Sequence, residues 1–430
     1  MKRGLKSILL AAIFILSLGL RLAAVLSMSP EQKILKHDAY RYEQIAKAIL
    51  KGEGFSKDGK PIAWRAPVYP CFIAGIYKIF YYNPDSIRII QAILASFLCL
   101  LVYMIGQIVF SQTVGLWAAF FTAIYHPFIN YLYWGGPGYL YTETIYMLLV
   151  ALSVIALLKY AHNQGLGNKA LVAIGMAMAA LTKPTILAFL PFFGLWIWYV
   201  KRFSFFKAIG DFLIIFFIIF AVVLPWTIRN YIVFKEFIFI SNESGDVFLK
   251  GNHPDARGGV VWVDSELEKD PKNLEKYSES YIKNAKYREG LRYLLDNPRR
   301  IPYLMFKKLI VNWNFFGEDG KYNFFYGLAL LFGASGMFLS LRHINPENLL
   351  LFSILCWPTL LALIFFGEPR YRYPAEPYLI IFASYALQLF YSKRKENKAY
   401  LLALVFLFVI NLIFYFFSGN LLGFLRRVIP

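Results

Sequence analysis

The chain has 430 residues, of which 58% are hydrophobic, 19% aromatic and only 17% charged; a soluble domain carries about 25% charged residues. This excludes soluble, disordered and disulfide-scaffold classes and leaves a polytopic membrane protein; the three cysteines, Cys71, Cys99 and Cys356, suggest neither a disulfide framework nor a zinc site. The net charge of +19 fits the excess of Lys and Arg in cytoplasmic loops, so no nucleic-acid partner is expected.

Apolar runs of about 20 residues cross the hydrocarbon layer as helices. They predict spans near 5–26, 87–110, 113–133, 140–159, 168–182, 185–200, 206–226, 323–341, 347–366, 373–391 and 399–417. The expected fold is all-α, with about eleven transmembrane helices and two outward loop insertions. Its parts are a first helix (1–26), a first extracytoplasmic loop with interfacial helices (27–86), helices two to seven (87–228), an extracytoplasmic insertion (229–322), and the last four helices with a C-terminal tail (323–430). MKRGLK resembles the start of a signal peptide, but the apolar run is too long and no clear small-x-small site follows it. With the N-terminus in the cytoplasm, the basic groups at 2–6, 159, 169, 201–207, 342 and 393–398 all fall inside, while GGPG at 135–138 and TKPT at 182–185 hold one between them. That bias sets the orientation. A multi-pass protein of the cell membrane is expected, with its active site facing outward.

Polar groups at membrane depth are costly and mark function. In chain order they gather at the outer ends of the spans. Asp38 precedes a helical run from Ala39 to Leu50 and could be a simple N-cap or a catalytic carboxylate. Tyr42 and Glu43 follow one turn on, with Arg65 and Tyr69 in WRAPVYP. Residues 68–82 suit a helix in the membrane interface. Glu143 enters an apolar helix one turn into GYLYTETIYMLL, where surface capping explains it poorly. Lys183, in LTKPT between two short spans, points to a water-filled cleft or to a snorkelling lysine. Arg229 ends LPWTIRN at the outer surface. The stretch FISNESGDVFLKGNHPDARGG reads as short strands or loops; amphipathic helices follow at 274–296 and 299–316. Finally, GEPRYRYPAEP puts Glu368, Arg370, Arg372 and Glu376 in one outer loop. Two arginines two apart in a Pro-bounded turn suit a phosphate clamp, with a salt-bridged loop as the alternative.

Carboxylates suit proton abstraction from a hydroxyl, and cations suit an anionic head group at the lipid interface. No Ser-His-Asp order, P-loop or nucleotide fold accompanies them, so a lipid-linked substrate is expected. The segments HDAYRYEQIAKAILKG, RAPVYP, YTETIY, LTKPT, PWTIRN with LKGNHPDARGG, the run from DNPRR to Lys308, and GEPRYRYPAEP together resemble the GT-C superfamily of integral membrane glycosyltransferases. The likeness is to the protein O-mannosyltransferase-like group that includes lipid A aminoarabinose transferases. It runs from about residue 35 to 380.

The resemblance implies a polyprenyl-phosphate-linked sugar as donor and an acceptor hydroxyl, on a lipid, glycan or protein, attacked outside the cytoplasm. Asp38 matches the family's first-loop acid, although Ala39 stands where many members carry a second one. Glu143 matches the acid opening the corresponding span, and GEPRYRYP the late outer-loop arginine. The expected reaction is an inverting displacement with Asp38 as base and Glu143 as second catalytic carboxylate. Lys183, Arg229, Arg370 and Arg372 would hold the donor phosphate, supported by Tyr42, Glu43, Arg65 and Tyr69. No metal is expected to be obligatory, with a divalent cation beside the carboxylates left open. The alternatives are a lipid-linked oligosaccharide ligase or polymerase, and a lipid or solute transporter.

Overall fold

A computed structural model describes residues 3–129, 136–269, 276–316 and 321–419. Lys2, the end of the predicted span 113–133, Gly135 of GGPG, residues 274–275 of the predicted amphipathic helix and the tail from 420 onward lie outside them.

The chain opens with α1 (Arg3–Leu26) and reaches the first loop, which folds as α2 (His37–Leu50), a small hairpin of Ser56–Lys57 with Lys60–Pro61, and α3 (Val68–Phe80). The hairpin turns on Asp58 and Gly59, both at positive φ, as a two-residue type I′ connection requires. Then come α4 (Pro84–Val109), α5 (Gln112–Ile124), α6 (Glu143–His162), α7 (Leu166–Thr182), α8 (Leu190–Val200) and α9 (Phe205–Phe234). The long segment between α9 and the last four helices holds α10 (Ser244–Gly251), α11 (Glu279–Asp296) and α12 (Arg300–Trp313); α13 (Phe324–Ser340), α14 (Pro346–Ile364), α15 (Glu376–Lys393) and α16 (Lys398–Phe416) complete the bundle.

Each of the eleven predicted spans contains a helix, and the protein is a multi-pass membrane protein. Among the described residues, seven helices, α1, α4, α6, α9, α13, α14 and α16, are long and apolar enough to cross a bilayer, α13 counted with the turn that follows it. Helices α5, α7 and α8 are shorter. Helix α15 is enclosed by the others, with residues Glu376–Ser384 all buried. At the other extreme, α16 shows lipid-facing side chains over most of its surface and is tied by one polar residue, buried Asn411, which accepts from Tyr322 Oη at 2.6 Å. Helix α9 has 30 residues; at ~1.5 Å per residue it outruns the ~30 Å hydrocarbon core and projects beyond it.

Two expectations change here. Within the stretch read as strands or loops, residues Ser244–Gly251 form α10 while the rest stays as turns and loop; the apolar side of α10 packs on α11, with the Phe248 and Tyr287 rings 5.1 Å apart. Asp246 is also joined to Lys286 at 2.8 Å. Tertiary burial outweighs a turn-forming composition. Asp38 is not an N-cap: Lys36 holds that position, and Asp38 lies within the first turn of α2.

The charged residues divide between the two ends of the bundle. Glu143 opens α6 at one end. At the other, Asp211 meets Lys169 at 2.5 Å and Lys201 at 2.6 Å and accepts from Tyr160, stitching α6 to α9 together.

Candidate active site

At the Glu143 end, segments far apart in sequence converge on two carboxylates. Arg370 stands between them. Its Nη1 reaches Asp38 Oδ2 at 3.2 Å, and its Nη2 reaches Glu143 Oε2 at 3.2 Å while Nε also donates to Glu143. Lys183 Nζ donates to the same Glu143 at 2.9 Å. On the far side of Asp38, Arg65 bridges Asp38 to Glu243, and Arg41 lies 3.8 Å away. The result is a chain of alternating charge: Glu243, Arg65, Asp38, Arg370, Glu143, Lys183.

Each position has a local cause. Pro184 prevents α7 from continuing, so the chain breaks at Lys183 into a 3-10 turn over Pro184–Phe189. That turn is held by Trp357 Nε1 donating to Thr185 O at 2.9 Å and by Tyr146 Oη bonding Thr185 Oγ1 at 3.0 Å. Arg65 lies against the faces of Trp64 and Tyr42, at 4.8 and 5.1 Å. Arg370 lies 4.9 Å from the Tyr141 ring. These rings shield the ion pairs from water, which strengthens them.

The cluster grades from closed to open. Glu143 is fully buried and the Lys183 and Arg370 side chains are 17% and 13% exposed, whereas Glu243 and Arg41 are 38% and 47% exposed. Burial pushes the Asp38 carboxyl up, but the Arg65 and Arg370 guanidiniums overcome it and hold the group at about 2. Glu368 belongs to the same neighbourhood; burial pushes its carboxyl up against the pull of Arg370 and Lys183.

Asp38, Glu143, Lys183 and Arg370 therefore share one cluster, with Arg65 linking Asp38 to Glu243 on its more open side. The other expected site residues lie elsewhere. Arg372 and Arg370 sit on one helical turn, Pro369–Arg372. At about 100° per residue, positions two apart face opposite ways. Arg372 turns into the bundle, where it donates to Glu376 at 2.8 Å and to Asn312 O at 2.7 Å and covers the Tyr326 ring at 3.7 Å. This is the salt-bridged arrangement, not a two-arginine clamp. Arg229 donates to Phe55 O at 2.7 Å and Ile62 O at 2.9 Å, pinning both ends of the first-loop hairpin to α9. It acts on the segment that carries Arg65, not on the carboxylates. Glu43 turns to Tyr77 and Tyr82, and Tyr69 donates to Gln91 at 2.7 Å. Tyr42 stays at the site beneath Arg65.

Glu243, Glu368 and Tyr141 were not singled out from the sequence as site residues. Glu243 lies in a stretch without periodicity, so nothing local set it apart; Glu368 was visible only as a neighbour of Arg370. Among the described residues, no group of three His, Cys, Asp or Glu side chains is arranged to hold a metal ion.

A family model, dolichyl-phosphate-mannose-protein mannosyltransferase, matches residues 64–228. That range includes Arg65, Glu143 and Lys183. Among solved structures, the chain is similar to the archaeal oligosaccharyltransferase AglB from Archaeoglobus fulgidus in complex with an inhibitory peptide and a dolichol-phosphate. The identity is 14% and the TM-score 0.59, over 97% of this chain and 55% of that one. The apo form of the Archaeoglobus fulgidus oligosaccharyltransferase gives 13% and 0.60, over 96% and 54%. ArnT from Cupriavidus metallidurans bound to undecaprenyl phosphate gives 13% and 0.43, over 91% and 79%. The chain spans about half the length of the oligosaccharyltransferase structures it matches. No curated protein matches it significantly by sequence. The fold is that of the GT-C membrane glycosyltransferases.

Proposed function

We propose that this chain, a polytopic membrane protein of the GT-C fold, transfers a sugar from a polyprenyl-phosphate donor to an acceptor hydroxyl on the extracytoplasmic face of the cell membrane, with inversion. One observation carries the reading: Arg370 joins Asp38 and Glu143, which lie 332 and 227 residues away in the chain. A bundle has no structural need for two carboxylates around one guanidinium at a single end. Burying charges costs several kcal/mol per ion before their attraction repays it.

The chemistry follows from the charges. The acceptor oxygen attacks the anomeric carbon as the bond from that carbon to the phosphate oxygen breaks. The departing polyprenyl phosphate takes up the bonding electrons, and Arg370 and Lys183 are placed to meet that charge. The acceptor proton passes to Asp38. At about 2, the resting Asp38 carboxylate is a weak base, because two guanidiniums hold it. A donor phosphate competes for Arg370; as that cation turns to the phosphate, Asp38 loses a partner and gains basicity. Glu143 keeps Arg370 and Lys183 aligned. Arg65, tied to Glu243, holds Asp38 from the open side.

The grading of exposure suggests two approaches. The donor phosphate enters at the closed end, next to the apolar helices its prenyl chain needs, and the acceptor enters from the Glu243 and Arg41 side. Because cations on the chain meet the leaving charge, the reading routes no step through a metal.

The test is transfer by purified protein in lipid nanodiscs. One arm uses a labelled polyprenyl-phosphate monosaccharide, and the other a labelled pyrophosphate-linked oligosaccharide. Acceptors are fractionated cell-envelope glycans, lipids and proteins. Label leaving the monophosphate donor with inverted stereochemistry supports the reading. Label leaving only the pyrophosphate donor assigns the chain to ligases, and transbilayer movement of intact donor without bond cleavage assigns it to transporters.

A further inference from the structure

Lys308 is 1% exposed. Among the described residues, no carboxylate lies within ion-pair distance of it. A buried ammonium without an anion is expensive, and burial pushes this one down to about 8. Its bonds show what it does. Lys308 Nζ donates to Leu363 O at 3.2 Å and to Asn252 Oδ1 at 2.8 Å. The Asn252 amide in turn donates to Ile364 O at 3.0 Å and Phe248 O at 2.8 Å.

Leu363 and Ile364 close α14, and the last carbonyls of a helix have no partner within it. They also form the negative end of its dipole, where a cation is favoured. Six residues beyond Ile364 stands Arg370. The intervening backbone is held by the same outward insertion. Gly367 N donates to Gly258 O at 2.7 Å. Gly258 has φ +91°, and a Cβ there would come within 2.7 Å of the Lys307 backbone. A Cβ on Gly251 would lie 1.8 Å from Phe365 O. So the glycines of LKGNHPDARGG permit the insertion to lie directly on the loop that ends in Arg370.

We propose that Lys308 is a positioning residue for Arg370: it ties the carbonyl end of α14 to Asn252 of the insertion, and so fixes the loop that delivers the guanidinium between Asp38 and Glu143. The insertion is then part of the site's frame as well as its cover. The role rests on the transferase reading only in what Arg370 does, not in how Arg370 is held.

The test combines kinetics with hydrogen exchange. Lys308→Met keeps the length and removes the donors. It is expected to lower kcat for transfer from a polyprenyl-phosphate monosaccharide ten- to a hundred-fold, as about 1 Å of misplacement does. In an Arg370→Lys background the same change is expected to cost less than twofold, because residues acting through one group are not additive. Amide exchange in residues 363–370 is expected to quicken, with α2 unaffected. Lys308→Gln, which retains a donor, is the second variant should Lys308→Met fail to fold; it is expected to show a smaller loss with the same non-additivity. An equal fold-loss in both backgrounds, or unchanged exchange over 363–370, overturns the proposal. If exchange quickens but the unsubstituted protein transfers no sugar from a polyprenyl-phosphate donor, the positioning stands and the transferase reading falls.

Discussion

Replacing Arg370 by lysine tests the site most directly. The guanidinium donates from three nitrogens to two carboxylates, and two of those contacts are 3.2 Å long. A lysine ammonium is a point charge; it can stay with Glu143 or reach toward Asp38, but it cannot reproduce the fork. Each lost charge-assisted bond is worth about 1.5–3 kcal/mol. In a shielded site, losing one group that stabilises developing charge costs roughly 10²–10³-fold in rate. Arg370→Lys is therefore expected to reduce kcat/KM for a polyprenyl-phosphate donor about a hundred-fold, equivalent to about 2.7 kcal/mol. Arg372→Lys serves as the internal control, since it alters the Glu376, Asn312 and Tyr326 contacts and nothing in the cluster. It is expected to lower the melting temperature while leaving kcat per folded molecule within a few fold. The assay is initial-rate transfer in nanodiscs, normalised to folded protein by size exclusion and thermal melting. The reasoning is refuted if Arg372→Lys loses turnover in folded protein while Arg370→Lys keeps it.

Asp38→Asn is expected to reduce transfer by about 10²–10⁴-fold, the usual cost of losing a general base; near-wild-type turnover in single-turnover assays would remove Asp38 from that role. The acid limb of kcat is expected at higher pH than that of kcat/KM, because the free enzyme holds Asp38 near 2 and bound donor draws Arg370 away; coincident limbs would count against donor-induced activation. Asp38 is depressed below its usual value of 3.8, so its stabilising effect is complete above about pH 4 and is lost as pH falls toward 2. Linkage puts that contribution at roughly 2 kcal/mol, and it should be absent from acid melts of Asp38→Asn. Turnover is expected to survive EDTA, and loss reversed by added Mn²⁺ or Mg²⁺ would place a metal in the reaction.

The membrane character and the helix-bearing segments were legible because they depend on composition averaged over about twenty residues, which neighbours in space do not change. Single polar residues within apolar runs were legible for a related reason: they are conspicuous wherever the chain goes. Asp38, Glu143, Lys183 and the PRYR turn could thus be named from the chain alone. Their partners could not. Whether Arg370 or Arg372 faces the carboxylates depends on a single helical turn that rotates them apart, and whether Arg229 binds anions or carbonyls depends on where the first-loop hairpin docks. Glu243 meets Arg65 across 178 residues, a separation with no local trace. Within a turn-rich stretch, the eight residues of α10 are helical where α11 covers their apolar side. Lys308 lay in a run recognisable by resemblance, yet its position beneath the Arg370 loop follows from two glycines letting backbone approach backbone. Hydrophobic patterning is additive along the chain and readable from it; the direction of a charged side chain is decided by the few ångströms that separate it from a partner elsewhere in sequence, and only the folded structure sets those.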